Sequence, residues 1–280
     1  MKNEALANED SDNADLPLPT DLFQEPSSFR PPSPEPKIIE HTTSDGTSLK
    51  IRLVGAHPLW GHVLYPASII LSRYIQEHSK QLFPDHVSTN VLELGAGGGL
   101  PGLTCVLAGA SLVVTTDFPD ADLIKNLEWN ADQNLPTSKR HRLIVKGLKW
   151  GAKLEDKIFE DATTPSASDT PSSQHGFDLI LLSDLVFNHS EHHALLTTCE
   201  ISLNSTAPTS DRPTPSLLVF YSHHRPWCVA ADEEFFVIAR QRGWKCTRII
   251  EDKNAGLAFP ADAGDPSIRG TVHGWVLTRH

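Results

Sequence analysis

The chain has no apolar run approaching the roughly eighteen residues of a membrane-spanning helix, which argues against a membrane partner. It has no basic block, so it is a poor candidate for gripping the phosphates of nucleic acid. Cysteine is scarce. Cys105, Cys199, Cys228 and Cys246 are scattered without a C-x-x-C, which suggests neither a disulfide framework nor a cysteine zinc site. Cys105 and Cys246 lie in apolar segments and read as small hydrophobes. There is no G-x-S-x-G and no P-loop G-x-x-x-x-G-K-[ST], which removes the hydrolase-elbow and nucleotide triphosphatase readings. H-E-x-x-H is missing too. Among the 14 histidines, His189 and His193 share a helical spacing beside Glu191 and His192, but zinc needs three or four converging ligands, so they read as solvated helix-start residues. The first residues are acidic and polar where a signal peptide is basic and then apolar, so a reduced, cytoplasmic protein is expected.

What is present is unevenly distributed. The net charge is −11, and residues 1–36 account for −6 of it while holding seven of the 21 prolines. Such a segment is expected to be a disordered or loosely draped arm, with the domain proper over 37–280. Residues 161–175 and 204–215 are Ser/Thr/Pro-rich with few large apolar side chains and read as surface insertions. The acidic balance is compatible with a basic protein partner. A hydrophobic content of 39% with six Trp can supply one sizeable core.

Between the insertions, strand and helix patterns alternate. Lys37–Thr42 and Ser48–Leu53 flank Asp45-Gly46, a hairpin signal. Helical spacing follows over Pro66–Lys80, then strand Asn90–Leu94, a helix from Pro101 to about Ala108, and strand Leu112–Asp117. A helix over Ala121–Asn134, strand Arg142–Lys146 and the continuously apolar Phe177–Ser183 come next. A helix near Ser190–Leu203, strand Ser216–Ser222 and a helix over Ala230–Arg242 precede two closing extended runs, Trp244–Ile250 and His273–Thr278. This order predicts an α/β fold with a mostly parallel sheet, helices on both faces, and an antiparallel edge.

The most informative stretch is Val91-Leu-Glu-Leu-Gly-Ala-Gly-Gly-Gly99, with Asp117 ending the next strand. Glycines let backbone approach a ligand closely, and a carboxylate at the second strand tip can hold a ribose diol. A dinucleotide G-x-G-x-x-G beginning at Gly95 fails, because Leu100 stands where the third glycine belongs. Beginning at Gly97 it fits Gly97, Gly99 and Gly102, but the turn then opens two residues late. Glu93 before the turn makes the E-x-G-x-G form usual for a methyl-donor site, and Pro101 suits the first turn of the next helix. These residues favour S-adenosylmethionine over a dinucleotide.

Ligands in such sheets bind at the carboxyl ends of the strands. That directs attention to Gly95, Ala96 and Gly97, to Asp117, to Lys149-Trp150, and to Ser183-Asp184. Asp117 faces the cleft or caps the helix near Ala121; Trp150 stacks beside an adenine or plugs the core. Ser183-Asp-Leu-Val-Phe-Asn-His189 places Asp184, Phe187 and Asn188 at a strand exit, where a carboxylate and an aromatic suit a substrate amine. The alternative has Asp184 capping the next helix and Phe187 packing inward. His223-His-Arg-Pro-Trp227 follows another strand tip and can line the acceptor side.

Taken together, these residues resemble a class I, Rossmann-like seven-stranded S-adenosylmethionine-dependent methyltransferase of the lysine-methylating family 16 group. The match is carried by Glu93-Leu-Gly-Ala-Gly-Gly-Gly99 with Asp117, by Asp184-Leu-Val-Phe187, and by Leu59-Trp-Gly-His-Val-Leu-Tyr-Pro-Ala-Ser68. The resemblance runs from about Ile38 to Arg279 and implies that Trp60 contacts the cofactor. Within the group, Ser183–His189 and His224–Trp227 are similar to fungal enzymes once labelled nicotinamide N-methyltransferase-like. Their implied acceptor is the N-terminal glycine and adjacent lysine of translation elongation factor 1-alpha. The implied donor set is Trp60, Glu93, Gly95, Ala96, Gly97, Asp117, Trp150 and Ser183, with Asp184, Phe187 and Asn188 on the acceptor side of a monomer. A methyltransferase for another protein lysine or a small amine such as nicotinamide, a dinucleotide oxidoreductase, and a non-catalytic cofactor-binding adaptor are the competing readings.

Overall fold

Three runs with few polar residues, β3 (Asn90–Leu94), β6 (Leu179–Ser183) and β7 (Ser216–Ser222), lie side by side in a seven-stranded sheet. Strands this apolar need both faces covered, and Val91, Leu92, Leu94, Ile180, Leu181 and Leu182 are all buried. The computed structural model describes residues 34–55, 57–58, 61–154, 176–205 and 212–279. The expected arm over 1–36 lies outside them except for its last three residues. The insertion over 161–175 lies wholly outside, and that over 204–215 does so from 206 to 211.

On one side of β3 stand β4 (Leu112–Asp117) and β5 (Leu143–Gly147); on the other, β6 and β7 are followed by β9 (Val272–Arg279) and β8 (Trp244–Asp252). All neighbours are parallel except β9, which runs antiparallel to both β7 and β8. The antiparallel edge is therefore present, but the last strand is the inner member of that pair. The connection between the two closing strands also holds a short helix that the pattern did not suggest, Pro266–Arg269, capped by the Asp265 side chain.

Adjacent residues of β3 serve opposite faces. Val91 packs with α1 (Pro66–Glu77), α3 (Leu100–Ala108) and α4 (Ala121–Asn134), whereas Leu92 packs with α6 (His192–Ser202) and α7 (Val229–Gln241). The short helices α2 (Ser79–Leu82) and α5 (Thr137–Arg140) fill connections, and Pro266–Arg269 is α8. The predicted hairpin forms a separate two-stranded sheet, β1 (Lys37–Thr42) with β2 (Ser48–Leu53), and Gly46 takes the left-handed φ of 88° that its turn requires.

That hairpin is tied to α4 by an asparagine ladder. Asn126, Asn130 and Asn134 recur every four residues and so share one helix face. Asn130 Oδ1 accepts the Arg52 N–H at 2.8 Å while its Nδ2 donates to the carbonyls of Arg52 (2.8 Å) and Gly98 (3.0 Å). Asn134 pairs likewise with both backbone groups of Lys50. The side chains replace a third strand along the hairpin's edge, and Asn130 carries the connection through to the glycine turn after β3.

From β3 the chain builds outward to β4 and β5, then returns to place β6 on the opposite side. Strand order reverses between β3 and β6, so the loops leaving their carboxyl ends diverge and open a crevice.

Candidate active site

The crevice is a cleft of about 440 Å³. Gly95, Ala96 and Gly97 form one wall, where the chain leaves β3 and turns into α3. Gly95 and Gly97 hold φ of 56° and 55°, conformations that L side chains avoid. A Cβ on Gly95 would stand 2.6 Å from Leu185 Cδ2 and 3.2 Å from the Trp150 ring. At Gly97 nothing lies within 4 Å of such an atom, so bare backbone faces open cleft. Between them, the Ala96 N–H donates to the Thr116 carbonyl at 3.0 Å, locking the turn to β4.

Asp117 ends β4 and lines the same cleft. Its Oδ2 accepts the Gly97 N–H and its Oδ1 the Phe118 N–H, both at 2.7 Å. Burial raises the carboxyl above its ordinary pKa, and the two backbone donors and His57 oppose that shift. Helix capping falls to Asp120, whose side chain accepts the Asp122 N–H at 2.8 Å. Trp150 lines the cleft over Gly95 and packs on the core beneath. Ser183 lines the cleft as well, and its buried Oγ has no hydrogen-bond partner.

Glu93 is placed differently from the other expected donor-side residues. It is 0% exposed and does not line the cleft; its carboxyl lies behind the turn, against Gly102 of α3 and Thr115 of β4. Residues alternate along a strand, so a side chain two positions before Gly95 points into a helix-covered face. Burial pushes its pKa up to about 8, which the adjacent Thr115 hydroxyl and Gly102 N–H offset only in part. Glu93 abuts the first turn of α3 from behind the cleft. Trp60 lies outside the described residues.

The second wall comes from the exit of β6. Asp184, Phe187 and Asn188 all line the cleft, opposite the glycine turn. Asp184 is the one non-glycine residue with positive φ (59°) among those described, in the left-handed region that Asp tolerates better than most residues. Its side chain caps no helix. Oδ1 accepts the Ser222 N–H at 3.3 Å, and Oδ2 lies 2.7 Å from His224 Nε2. The Asn188 side-chain oxygen accepts from the Ser190 hydroxyl at 3.2 Å.

Three residues were not singled out from the sequence for the roles they occupy. Tyr65, just before α1, and Glu191 both line the cleft. His224 is the immediate partner of Asp184, although its segment was assigned to the acceptor side only in general terms. A histidine-rich strand exit was the available signal; no local pattern links positions 184 and 224. Two of the histidines considered near a metal site have other partners: His189 Nε2 meets Asp232 Oδ1 at 2.7 Å, and His192 Nε2 meets the Val186 carbonyl at 2.7 Å.

A family model described as lysine methyltransferase matches residues 43–239. The chain is 40% identical over 274 residues to the protein N-terminal and lysine N-methyltransferase EFM7 of Cryptococcus neoformans, covering 94% of this chain and 87% of that protein. It is 38% identical over 266 residues to the Schizosaccharomyces pombe protein of the same description, covering 92% and 94%. Among solved structures, a Streptococcus mutans protein described as a SAM-dependent methyltransferase aligns with TM-score 0.51 at 12% identity, over 89% of this chain and 57% of that one. That likeness is one of fold, a Rossmann-like sheet with helices on both faces. By family model and by relatives matched along nearly its whole length, the chain belongs to the lysine methyltransferase family.

Proposed function

We propose that this chain is an S-adenosylmethionine-dependent protein N-methyltransferase. Its acceptors are the N-terminal glycine amine and adjacent lysine of translation elongation factor 1-alpha, modified in the cytoplasm by a monomeric enzyme. The observation that carries the reading is the pairing of two unlike walls across one crevice, an open glycine turn held by Asp117 and a carboxylate with aromatics at Asp184, Phe187 and Tyr65. The relatives, protein N-terminal and lysine N-methyltransferases, support it.

The residues fit the donor. Open space over Gly97 leaves room for a ligand against backbone, and the unpartnered Ser183 Oγ has a free hydrogen-bonding site. Gly95, Ala96 and Gly97 hold the methionine and ribose portion, Asp117 the ribose hydroxyls, and Trp150 and Ser183 the remainder. Glu93 acts from behind the turn, and Trp60 joins the set on the sequence resemblance alone. S-adenosylmethionine, when bound, supplies an electrophilic methyl group.

The chain's own contribution is alignment and charge. Holding an acceptor nitrogen in line is worth up to roughly 7–11 kcal/mol for well-oriented reactants. Asp184 attracts the ammonium, Phe187 and Tyr65 give it aromatic faces, and Asn188 shapes the entry. The acceptor must shed its proton, which an α-amine of pKa about 8 does more readily than a lysine at about 10.4.

The test is incubation of the purified protein with labelled S-adenosylmethionine and recombinant elongation factor 1-alpha, with the label mapped by mass spectrometry. Methyl groups on the first amine or the next lysine support the reading. Donor binding without transfer refutes the acceptor assignment. Asp117→Ala weakens donor binding, whereas Asp184→Ala lowers turnover with donor affinity nearly unchanged; equal donor loss in both would refute that division of labour.

A further inference from the structure

Two consecutive imidazoles follow β7, and each turns to a different buried carboxylate. His223 Nδ1 lies 2.7 Å from Asp232 Oδ2, whose other oxygen is taken by His189. His224 Nε2 lies 2.7 Å from Asp184 Oδ2, and that carboxylate is in the cleft wall. The His224 side chain is 13% exposed. Its ring is flanked by Tyr65, Phe259 and Phe187 at centroid distances of 5.5, 5.6 and 6.4 Å, and Arg269 Nε donates to its carbonyl at 3.2 Å. The cleft carboxylate is thus half of a hydrogen-bonded carboxylate–imidazole pair.

We propose that His224 is a positioning residue for the methyl acceptor: it holds the Asp184 carboxylate in the cleft wall and, by gaining or losing its own proton, sets the net charge that wall offers an incoming ammonium. The inference rests on the amine-acceptor reading above. With His224 neutral, its Nε2–H donates to Oδ2 and the pair carries one negative charge. With His224 protonated, the hydrogen bond persists but the pair is neutral. Ammonium binding beside Asp184 and protonation of His224 therefore oppose each other, by the same factor in both directions; the imidazole proton goes to solvent as the ammonium enters. The charged groups facing His224 are Asp184 from β6, Asp232 from α7 and Arg269 from α8, with the neutral Tyr65 hydroxyl beside them. Burial disfavours the imidazolium, but the charge and hydrogen bond of Asp184 outweigh it, so His224 titrates above its ordinary value.

The experiment follows KM and kcat for a peptide beginning Gly-Lys from about pH 5 to about 7, where both its amines are mostly charged. In the wild type, KM rises toward acid by up to about tenfold per pH unit, on top of the fall in kcat that the acceptor's own proton imposes. His224→Gln, which keeps an N–H for Asp184 Oδ2 but cannot titrate, loses that KM dependence while its S-adenosylmethionine affinity stays unchanged. Independently of any substrate, the NMR titration midpoint of His224 falls in Asp184→Asn, since Asn also tolerates the left-handed φ. A His224→Gln enzyme with the wild-type KM profile, or a His224 midpoint indifferent to Asp184→Asn, overturns the inference. No methyl transfer to the peptide, with the midpoint still dependent on Asp184, refutes the acceptor reading and leaves the charge coupling of the pair standing.

Discussion

Asp117 Oδ2 accepts the backbone N–H of Gly97 at 2.7 Å, so the carboxylate ending β4 holds the middle of the turn that leaves β3. One side chain joins two strand tips and is expected to serve the donor twice, by shaping the turn and by offering its remaining acceptor sites. Hydrogen bonds to a charged group are worth about 1.5–3 kcal/mol. Asp117→Ala should therefore raise the S-adenosylmethionine Kd by roughly 10- to 100-fold in calorimetry, and Asp117→Asn, which can still accept from Gly97, should fall between. An unchanged Kd for Asp117→Ala would remove Asp117 from the donor site.

Two glycines of one turn should fail differently. Gly95→Ala meets both the left-handed φ and the Leu185 methyl, whereas Gly97→Ala meets only the former. The backbone penalty is about 1–2 kcal/mol in each, so urea unfolding should show the larger stability loss in Gly95→Ala. Gly97→Ala should lose donor affinity out of proportion to its stability, because its methyl occupies ligand space. Equal ratios of the two losses would mean that the cleft over Gly97 is not where the donor lies.

Asn130 is 1% exposed and satisfies three backbone groups of two separate segments. Asn130→Ala strands the Arg52 N–H and the Gly98 carbonyl, while the Arg52 carbonyl keeps its bond from Asn126 Nδ2 at 2.8 Å, and Ile51 and Leu53 of the same hairpin press on Gly98. A loss of roughly 2–4 kcal/mol by urea denaturation is expected, together with weaker donor binding. Asn134→Ala, at the outer end of the ladder, should lose about 1 kcal/mol and leave donor affinity alone.

Glu93 makes stability depend on pH in a direction opposite to most carboxylates. Burial raises its pKa from 4.5 to about 8, so the folded state binds a proton that the unfolded chain has released. That stabilisation is complete below pH 4.5 and is lost as the pH rises through about 8. Glu93→Gln lacks this dependence. Its stability relative to the wild type should rise steadily across that window in parallel urea titrations, and a constant difference would contradict the buried, neutral carboxyl.

Much of the glycine-turn wall of the cleft was legible in the sequence because its signals are local. Gly95, Gly97 and Asp117 are linked through one strand–turn–helix–strand unit, in which a left-handed turn demands glycine and a strand tip exposes its last side chain. Glu93 was drawn into the binding set by its place in the motif, but strand alternation sends it behind the turn, where it meets Gly102. The closing strands read correctly as extended, yet nothing local says that β9 inserts between β7 and β8.

What the sequence determined by itself was the alternation of elements, the apolar strands that require a two-sided sheet, and the carboxylates at two strand tips. These follow from periodicity and backbone sterics, which act over a few residues. Tertiary structure alone decided that Asn130 would bind β2 to Gly98, and that His224 rather than solvent would meet Asp184 across forty positions of chain. A side chain's partner depends on where two distant segments stop in space. That is set by the packing of helices on both faces of the sheet, to which no single segment of sequence has access.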